Sequence, residues 1–151
     1  PNYHPSIWSK GEDGAAYVKS IIGRVDVIKP SKDDADRLFG NDTPDNHLSR
    51  FLALGAKLVI LTLGAEGILV SNGDETLRLD SVPTEVVDAT GAGDAFWAGF
   101  YAGLVKGLVL KESVKLGMEV SAYKLKHLGP VSRFPEEYRL TRIPSGGEKQ
   151  S

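Results

Sequence analysis

Apolar residues fall at Ala15, Val18, Ile21 and Ile22, a spacing that predicts a helix over Glu12–Ile22 with Gly23 as its stop. Ahead of it, Pro1 and Pro5 restrict Pro1–Lys10 to an irregular path. Val25–Ile28 reads as a short strand ended by Pro30. A second helix is expected from Ser31 to just before Gly40, where Ser31 and Asp34 form a weak capping box with Asp in place of Glu or Gln. Asp45–Leu54 reads as a third helix closed by Gly55. Leu58–Leu63 is a continuous apolar run, the pattern of a strand buried on both faces of a parallel sheet. Ile68–Ser71 and Thr76–Leu79 then flank Asn72-Gly73-Asp74, a hairpin signal. Together these predict an α/β layer that carries some antiparallel strands.

Two further helices follow. Gly93–Lys106 would align Phe96, Gly99, Phe100, Gly103 and Leu104, and Lys111–His127 would align Val114, Met118, Ser121, Ala122 and Leu125. Both stripes suit core packing better than a cofactor surface. From Pro135 the chain turns polar, and Ser145–Ser151 is expected to be disordered. No segment repeats.

With 41% hydrophobic residues among 151, the chain can bury the core of one domain. Its formal charge of −2 arises from 20 acidic and 18 basic residues with no basic tract, so nucleic-acid binding is not expected. The longest strongly apolar stretch, Leu58–Leu63, is too short to span a bilayer. Cysteine is absent, which removes disulfides and thiolate zinc sites and fits a cytoplasmic location. His4, His47 and His127 form no metal-ligand motif. The opening at Pro1, in a loop-like stretch, suggests a piece of a longer protein.

The chemistry concentrates in Val87–Phe100, where an extended run meets a helix through a glycine-rich turn. Gly91 and Gly93 can take backbone angles closed to other residues and leave no side chain in the way. The first N–H groups of the helix lack intrahelical partners and sit at the positive end of its dipole, a ready anion site. There they would stabilise charge that builds on a transferring phosphate. Asp94 lies in that first turn, where the dipole favours negative charge. It could take the proton of an attacking hydroxyl while the N–H groups hold a phosphoryl group in line. No Gly-Lys-Ser/Thr follows, so this is not a Walker A loop, and the third glycine of a dinucleotide fingerprint is missing. A dinucleotide-dependent enzyme is disfavoured further because no acidic ribose partner follows at the expected distance. An isolated Gly-x-Gly-Asp would be read as a plain helix start.

The whole stretch, however, resembles the signature of the ribokinase-like carbohydrate kinases, a family that includes the bacterial fructokinases. Asp88 to Phe96 reproduces its Asp-Thr/Ala-Thr-Gly-Ala-Gly-Asp-Ala-Phe, and the resemblance runs from Pro1 to about Pro135. It implies a three-layer α/β/α sandwich, of which this chain is the C-terminal portion, with a mostly parallel sheet plus a β-hairpin and without the lid or the N-terminal strands. It implies Asp94 as catalytic base and Gly91, Ala92 and Gly93 as the anion hole. Thr62-Leu63-Gly64-Ala65-Glu66-Gly67 is similar to the family's nucleotide-contacting segment, with Thr62, Gly64 and Gly67 at matching positions. A tight turn between two strands explains the same glycines, and both readings can hold together. ATP, Mg2+ and a K+ ion are the implied cofactors. Asp88 and Thr90 match one arm of a monovalent-cation site. Gly129 and Ser132, in Gly129–Pro135, resemble the other, although a helix stop at Gly129 accounts for that loop equally well.

Two segments depart from the family pattern. Ser31-Lys32-Asp33-Asp34 stands where the family carries Asn-x-x-Glu, a motif tied to magnesium and phosphate. Asp34 keeps a carboxylate for metal, and capping of the helix by Ser31 is the competing explanation. The start, Pro1 to Trp8, is similar to the Asp-Pro-Asn-Tyr-Arg-Pro-x-Leu-Trp of bacterial fructokinases, with His4 for arginine and Trp8 as a packing anchor. The reading is therefore an ATP-binding portion over residues 1–135 and a polar, partly disordered tail over 136–151. The parent would be a homodimeric, cytoplasmic sugar kinase acting on fructose or a similar small sugar. Its N-terminal half, or a partner fragment, would supply the sugar site. A 2-keto-3-deoxygluconate kinase and a non-catalytic nucleotide-binding fragment are the alternatives.

Overall fold

The computed structural model describes residues 3–131 together with 134, 135 and 138. Ser132, the expected polar tail and the first two residues fall outside that set, Tyr138 apart. The chain divides into two compact units, Pro1–Ser81 and Val82–Ser151.

In the first unit, a short 3-10 turn at Pro5–Ile7 leads to helix α1 (Gly14–Ile22). The helix begins two residues later than the periodicity suggests, because the Asp13 side chain accepts the Ala16 N–H and so fixes the N-cap. Trp8 acts as the expected packing anchor. Its indole lies over Gly14, so close that a side chain there would overlap the ring. Gly23 caps α1 in right-handed backbone (φ −69°), not in the left-handed conformation usual for a glycine stop. Its smallness is needed instead because a Cβ would meet the Leu54 carbonyl oxygen at 2.7 Å.

Strand β1 is only Val27–Ile28, and helix α2 spans Lys32–Phe39. The capping box is complete. Ser31 Oγ accepts the Asp34 N–H at 3.0 Å, and Asp34 Oδ2 accepts the Ser31 N–H at 3.1 Å. Helix α3 (Pro44–Ala53) starts with Thr43 as N-cap and Pro44 in its first turn. Asp36 of α2 joins these two helices. Its Oδ2 accepts from Lys32 Nζ at 2.6 Å, and its Oδ1 accepts from Nε2 of the fully buried His47 at 2.7 Å.

Strands β2 (Leu58–Thr62), β3 (Ile68–Ser71) and β4 (Thr76–Leu79) complete a sheet ordered β1-β2-β3-β4. β1 and β2 are parallel, with Val27 opposite Leu58 and Ile28 opposite Val59. β2–β3 and β3–β4 are antiparallel, with Thr62 opposite Ile68 and Ile68 opposite Leu79. The expectation of a mostly parallel sheet is thus corrected to a mixed one. A parallel crossover needs a dozen or more residues, and the short Leu63–Gly67 link between β2 and β3 permits only an antiparallel return. The expected two-sided burial does hold, since Val59, Ile60 and Leu61 are each 0% exposed.

The β3–β4 hairpin forms where the sequence placed it, but its loop is longer than a two-residue Asn-Gly turn. Asn72 Oδ1 accepts the N–H groups of Asp74 and Glu75 at 3.1 and 3.0 Å, and Gly73 takes φ 96°. Around β2, Ile22, Leu38, Leu48, Phe51 and Leu61 form the core of this unit.

In the second unit, helices α4 (Ala92–Val105) and α5 (Leu110–Leu125) pack on each other. The buried face of α4 is Ala95, Phe96, Gly99, Phe100 and Gly103, while Leu104, expected on that stripe, is 43% exposed. The buried face of α5 includes Ser113, Val114, Gly117, Met118, Val120, Ala122 and Lys124. Glycines set the separation. A Cβ on Gly99 would lie 2.6 Å from the Leu116 carbonyl oxygen, and one on Gly103 would lie 2.7 Å from Ser113 Cα.

Candidate active site

In the glycine-rich segment Gly91 takes a glycine-favouring backbone as the sequence suggests, whereas Gly93 already lies within α4 in ordinary helical backbone. Gly91 is the N-cap and adopts left-handed backbone (φ 79°, ψ 4°), which a residue with a Cβ rarely takes. Among the described residues, no side chain caps the helix. The Ala92 N–H reaches back to the Ala89 carbonyl at 3.2 Å, and the Ala95 N–H closes on the Gly91 carbonyl at 2.9 Å. Among the described residues, the N–H groups of Gly93 and Asp94 between them meet no acceptor. These two are therefore the donors most open to an anion, and Ala92 contributes a partly engaged one. Asp94 lies in the first turn and is exposed.

Behind this turn, Asp88 organises the backbone. Its Oδ1 accepts the Thr90 N–H at 2.9 Å, and its Oδ2 accepts the Gly129 N–H at 3.0 Å and Lys124 Nζ at 3.0 Å. The Thr90 N–H, then the Lys124 ammonium, then the Gly129 N–H hold its carboxyl well below the usual carboxylate range. The Leu125 carbonyl accepts the N–H groups of Val87 and Asp88 at 2.8 and 3.2 Å, and Ser121 Oγ donates to the Ala92 carbonyl at 3.0 Å. Within this unit the structure thus brings Asp88, Thr90, Gly91–Asp94 and Gly129 together.

Residue patterns alone do not single out Lys124. A signal was present: Ser113, Gly117, Val120 and Lys124 recur at helical spacing, which puts a charged residue in line with a buried stripe. The stripe drawn through Val114, Met118, Ser121, Ala122 and Leu125 runs beside it, and the lysine passes for a solvent-facing residue.

In the first unit, Thr62 ends β2. Its N–H donates to the Pro30 carbonyl at 3.0 Å, and it bridges Ser31 in parallel register. Gly64 and Gly67 flank a short 3-10 turn, with φ 61° and 89°. They differ in surroundings. A side chain on Gly67 would overlap the Leu79 carbonyl oxygen, whereas a Cβ on Gly64 would point into open space. Gly67 is therefore explained by the hairpin packing against it. Gly64 leaves backbone approachable from outside.

Asp34 is only 7% exposed, and its Oδ2 accepts both the N–H and the Oγ–H of Ser31 at 3.1 and 2.8 Å. The cap takes up Oδ2 of this carboxylate, while its Oδ1 lies 3.7 Å from Arg37 Nη1. Among the described residues, no group of three or more His, Asp or Glu could hold a metal. No helix there is long and apolar enough to cross a membrane.

The family profile described as pfkB family carbohydrate kinase matches residues 1–137. The chain is 61% identical over 136 residues to the ATP-dependent 6-phosphofructokinase of Thermoanaerobacterium thermosaccharolyticum, covering 90% of this chain and 42% of that protein. It is 38% identical over 114 residues to the cytidine kinase of Thermococcus kodakarensis, covering 74% of this chain and 41% of that one. Among solved structures, Halothermothrix orenii fructokinase is similar with 49% identity and a TM-score of 0.63, over 77% of this chain and 40% of that one. Aminoimidazole riboside kinase from Salmonella enterica shares the fold, with a TM-score of 0.79 at 22% identity over 91% of this chain and 48% of that one. The chain spans about two fifths of the length of the curated relatives it matches.

Proposed function

Because this chain belongs to the pfkB family of carbohydrate kinases, we propose that residues 1–135 are the nucleotide-binding, C-terminal portion of a cytoplasmic, ATP-dependent kinase for a fructose-type sugar. The observation that carries the reading is the start of α4. There an exposed Asp94 adjoins the N–H groups of Gly93 and Asp94, which meet no acceptor among the described residues, behind a left-handed Gly91.

In the proposed reaction the Asp94 carboxylate takes the proton of the sugar hydroxyl as its oxygen attacks the γ-phosphorus of ATP. The bond from that phosphorus to the bridging oxygen breaks, and ADP leaves with the electron pair. The N–H groups of the Gly91–Asp94 turn face the charge that builds on the phosphoryl oxygens, and the helix dipole reinforces them. Because they are held by the fold, they need no reorganisation as the charge develops. Asp88 fixes the approach to this turn through the Thr90 N–H. The open backbone at Gly64, with Thr62 beside it, is the proposed nucleotide contact. Magnesium would arrive on the ATP phosphates, since the described residues offer no built cage for it.

The acceptor rests on relatives. Fructose is the first choice, from the fructokinase likeness, and fructose 6-phosphate is the second, favoured by the 61% identity to a 6-phosphofructokinase. Turnover of the full-length protein on fructose, fructose 6-phosphate and 2-keto-3-deoxygluconate separates these readings. In that protein, Asp94→Asn should lower kcat by about 100- to 10,000-fold while leaving ATP affinity in place. Retained turnover removes Asp94 from the base role. A parent that binds ATP but phosphorylates nothing leaves only the nucleotide-binding reading.

A further inference from the structure

Lys124 is 4% exposed near the C-terminal end of α5. Lysine offers three N–H donors and no acceptor. Here all three have oxygen partners: the Asp88 carbonyl at 2.9 Å, Asp88 Oδ2 at 3.0 Å and the His127 carbonyl at 3.2 Å. The ammonium therefore joins the segment that leads into the Gly91 turn to the segment that leaves α5. The resemblance to ribokinase-like enzymes puts a monovalent cation between these same two segments, on Asp88 and Thr90 from one side and Gly129 and Ser132 from the other.

An exchangeable K+ ion would need carbonyl and carboxylate oxygens to replace its water shell. Both oxygens of the Asp88 carboxylate are already engaged. Its Oδ1 serves the Thr90 N–H, and its Oδ2 serves the Gly129 N–H and Lys124. The Asp88 and His127 carbonyls point at the ammonium. A second cation beside Lys124 would meet like-charge repulsion in a half-buried setting, where screening is weak. Among the described residues, the Asp88 oxygens, engaged in this way, do not fit an exchangeable ion.

We propose that the Lys124 ammonium is the built-in cation of this site, holding the Asp88–Gly91 segment in place so that the phosphoryl-transfer turn is set without potassium. Lys124 is a positioning residue, since it acts through Asp88 and touches neither proposed substrate. Only the activity arm of its test rests on the kinase reading.

The experiment uses the full-length protein, with tetramethylammonium as the sole monovalent cation or with K+ at equal ionic strength. Wild-type turnover and melting temperature should be the same in both. Lys124→Ala should lose turnover and melt lower in tetramethylammonium, and K+ should restore turnover by about tenfold or more and raise the melting temperature. Lys124→Met, which keeps volume without charge, should be restored far less. Stimulation of the wild type by K+ overturns the proposal, even if Lys124→Ala fails to fold. So does a Lys124→Ala defect that K+ leaves untouched in both readouts, because the residue is then packing alone. The melting arm does not depend on Asp94. Retained turnover in Asp94→Asn would sink the base assignment without altering the K+ result.

Discussion

Alanine at Gly99 sets two effects of opposite sign against each other, and the structure decides which wins. In a helix interior with room to spare, Gly→Ala stabilises by about 0.8–1.0 kcal/mol. On α4 there is no room. The new Cβ would sit 2.6 Å from the Leu116 carbonyl oxygen, 2.8 Å from Gly117 Cα and 2.9 Å from Val120 Cγ2. Two of these atoms are backbone of α5, so a rotamer change cannot relieve the overlap. Ordinary contact begins near 3.4 Å, which asks the helices to part by about 0.8 Å. A gap of about 0.5–1 Å forfeits roughly a quarter to a half of the dispersion well at each neighbouring contact.

The close approaches at Gly103, where a Cβ would stand 2.7 Å from Ser113 Cα, and at Gly117, where one would stand 2.9 Å from the Phe96 carbonyl oxygen, would be opened as well. Overpacking costs about 1–3 kcal/mol, and rigid backbone places this site toward the upper end. After the propensity gain, Gly99→Ala should destabilise by about 1–2 kcal/mol. Thermal melting of the full-length protein would show a fall of about 2–4 °C per kcal/mol for a domain of 150–250 residues. Urea titration should show a lower midpoint at unchanged slope. A rise in melting temperature would refute the close approach of α4 and α5, because propensity alone predicts that sign.

Four further outcomes follow from individual contacts. Ser31→Ala should cost about 1 kcal/mol by removing the α2 cap; if Asp34 is only that cap's partner, Asp34→Asn in the full-length protein leaves turnover nearly unchanged, and a severe loss at intact stability would give it a metal role. Asp36→Ala strips the fully buried His47 of its only Nε2 partner seen among the described residues and should cost about 1–3 kcal/mol in chemical denaturation. Asp88 titrates below the unfolded-chain value of about 3.9, so the unfolded state takes up its proton first as pH falls. Its contribution is present above that value and lost as pH drops through the folded one. Asp88→Asn should therefore be less stable at neutral pH yet lose stability less steeply than wild type in acid, and parallel pH profiles would contradict this.

Local rules were legible wherever one short segment contains its own cause. The Ser31/Asp34 box, the Asn72-Gly73 hairpin and the Gly91 helix start all formed as the residues suggest, because each is closed by hydrogen bonds or backbone angles within a few residues. The proposed Asp94 site was legible for the same reason, its parts being consecutive in the chain. Features that join distant segments were not. Strand direction at β2–β3 depends on which partner the apolar run meets, and hydrophobicity alone does not encode that. Gly23, Gly99 and Gly117 look like flexible or helix-weakening residues until a neighbouring backbone is placed within 3 Å of where a Cβ would stand.

Lys124 is the fullest case. As a sequence character it is one of 18 basic residues. The contact with Asp88, 36 positions away, makes it a buried ammonium paired with a residue that matches one arm of the proposed monovalent-cation site. Local sequence set the caps, the turns and the proposed anion site at the start of α4. Tertiary structure alone decided which charge sits behind that turn, because a buried ion takes its partners from whatever the fold brings within 3 Å of it.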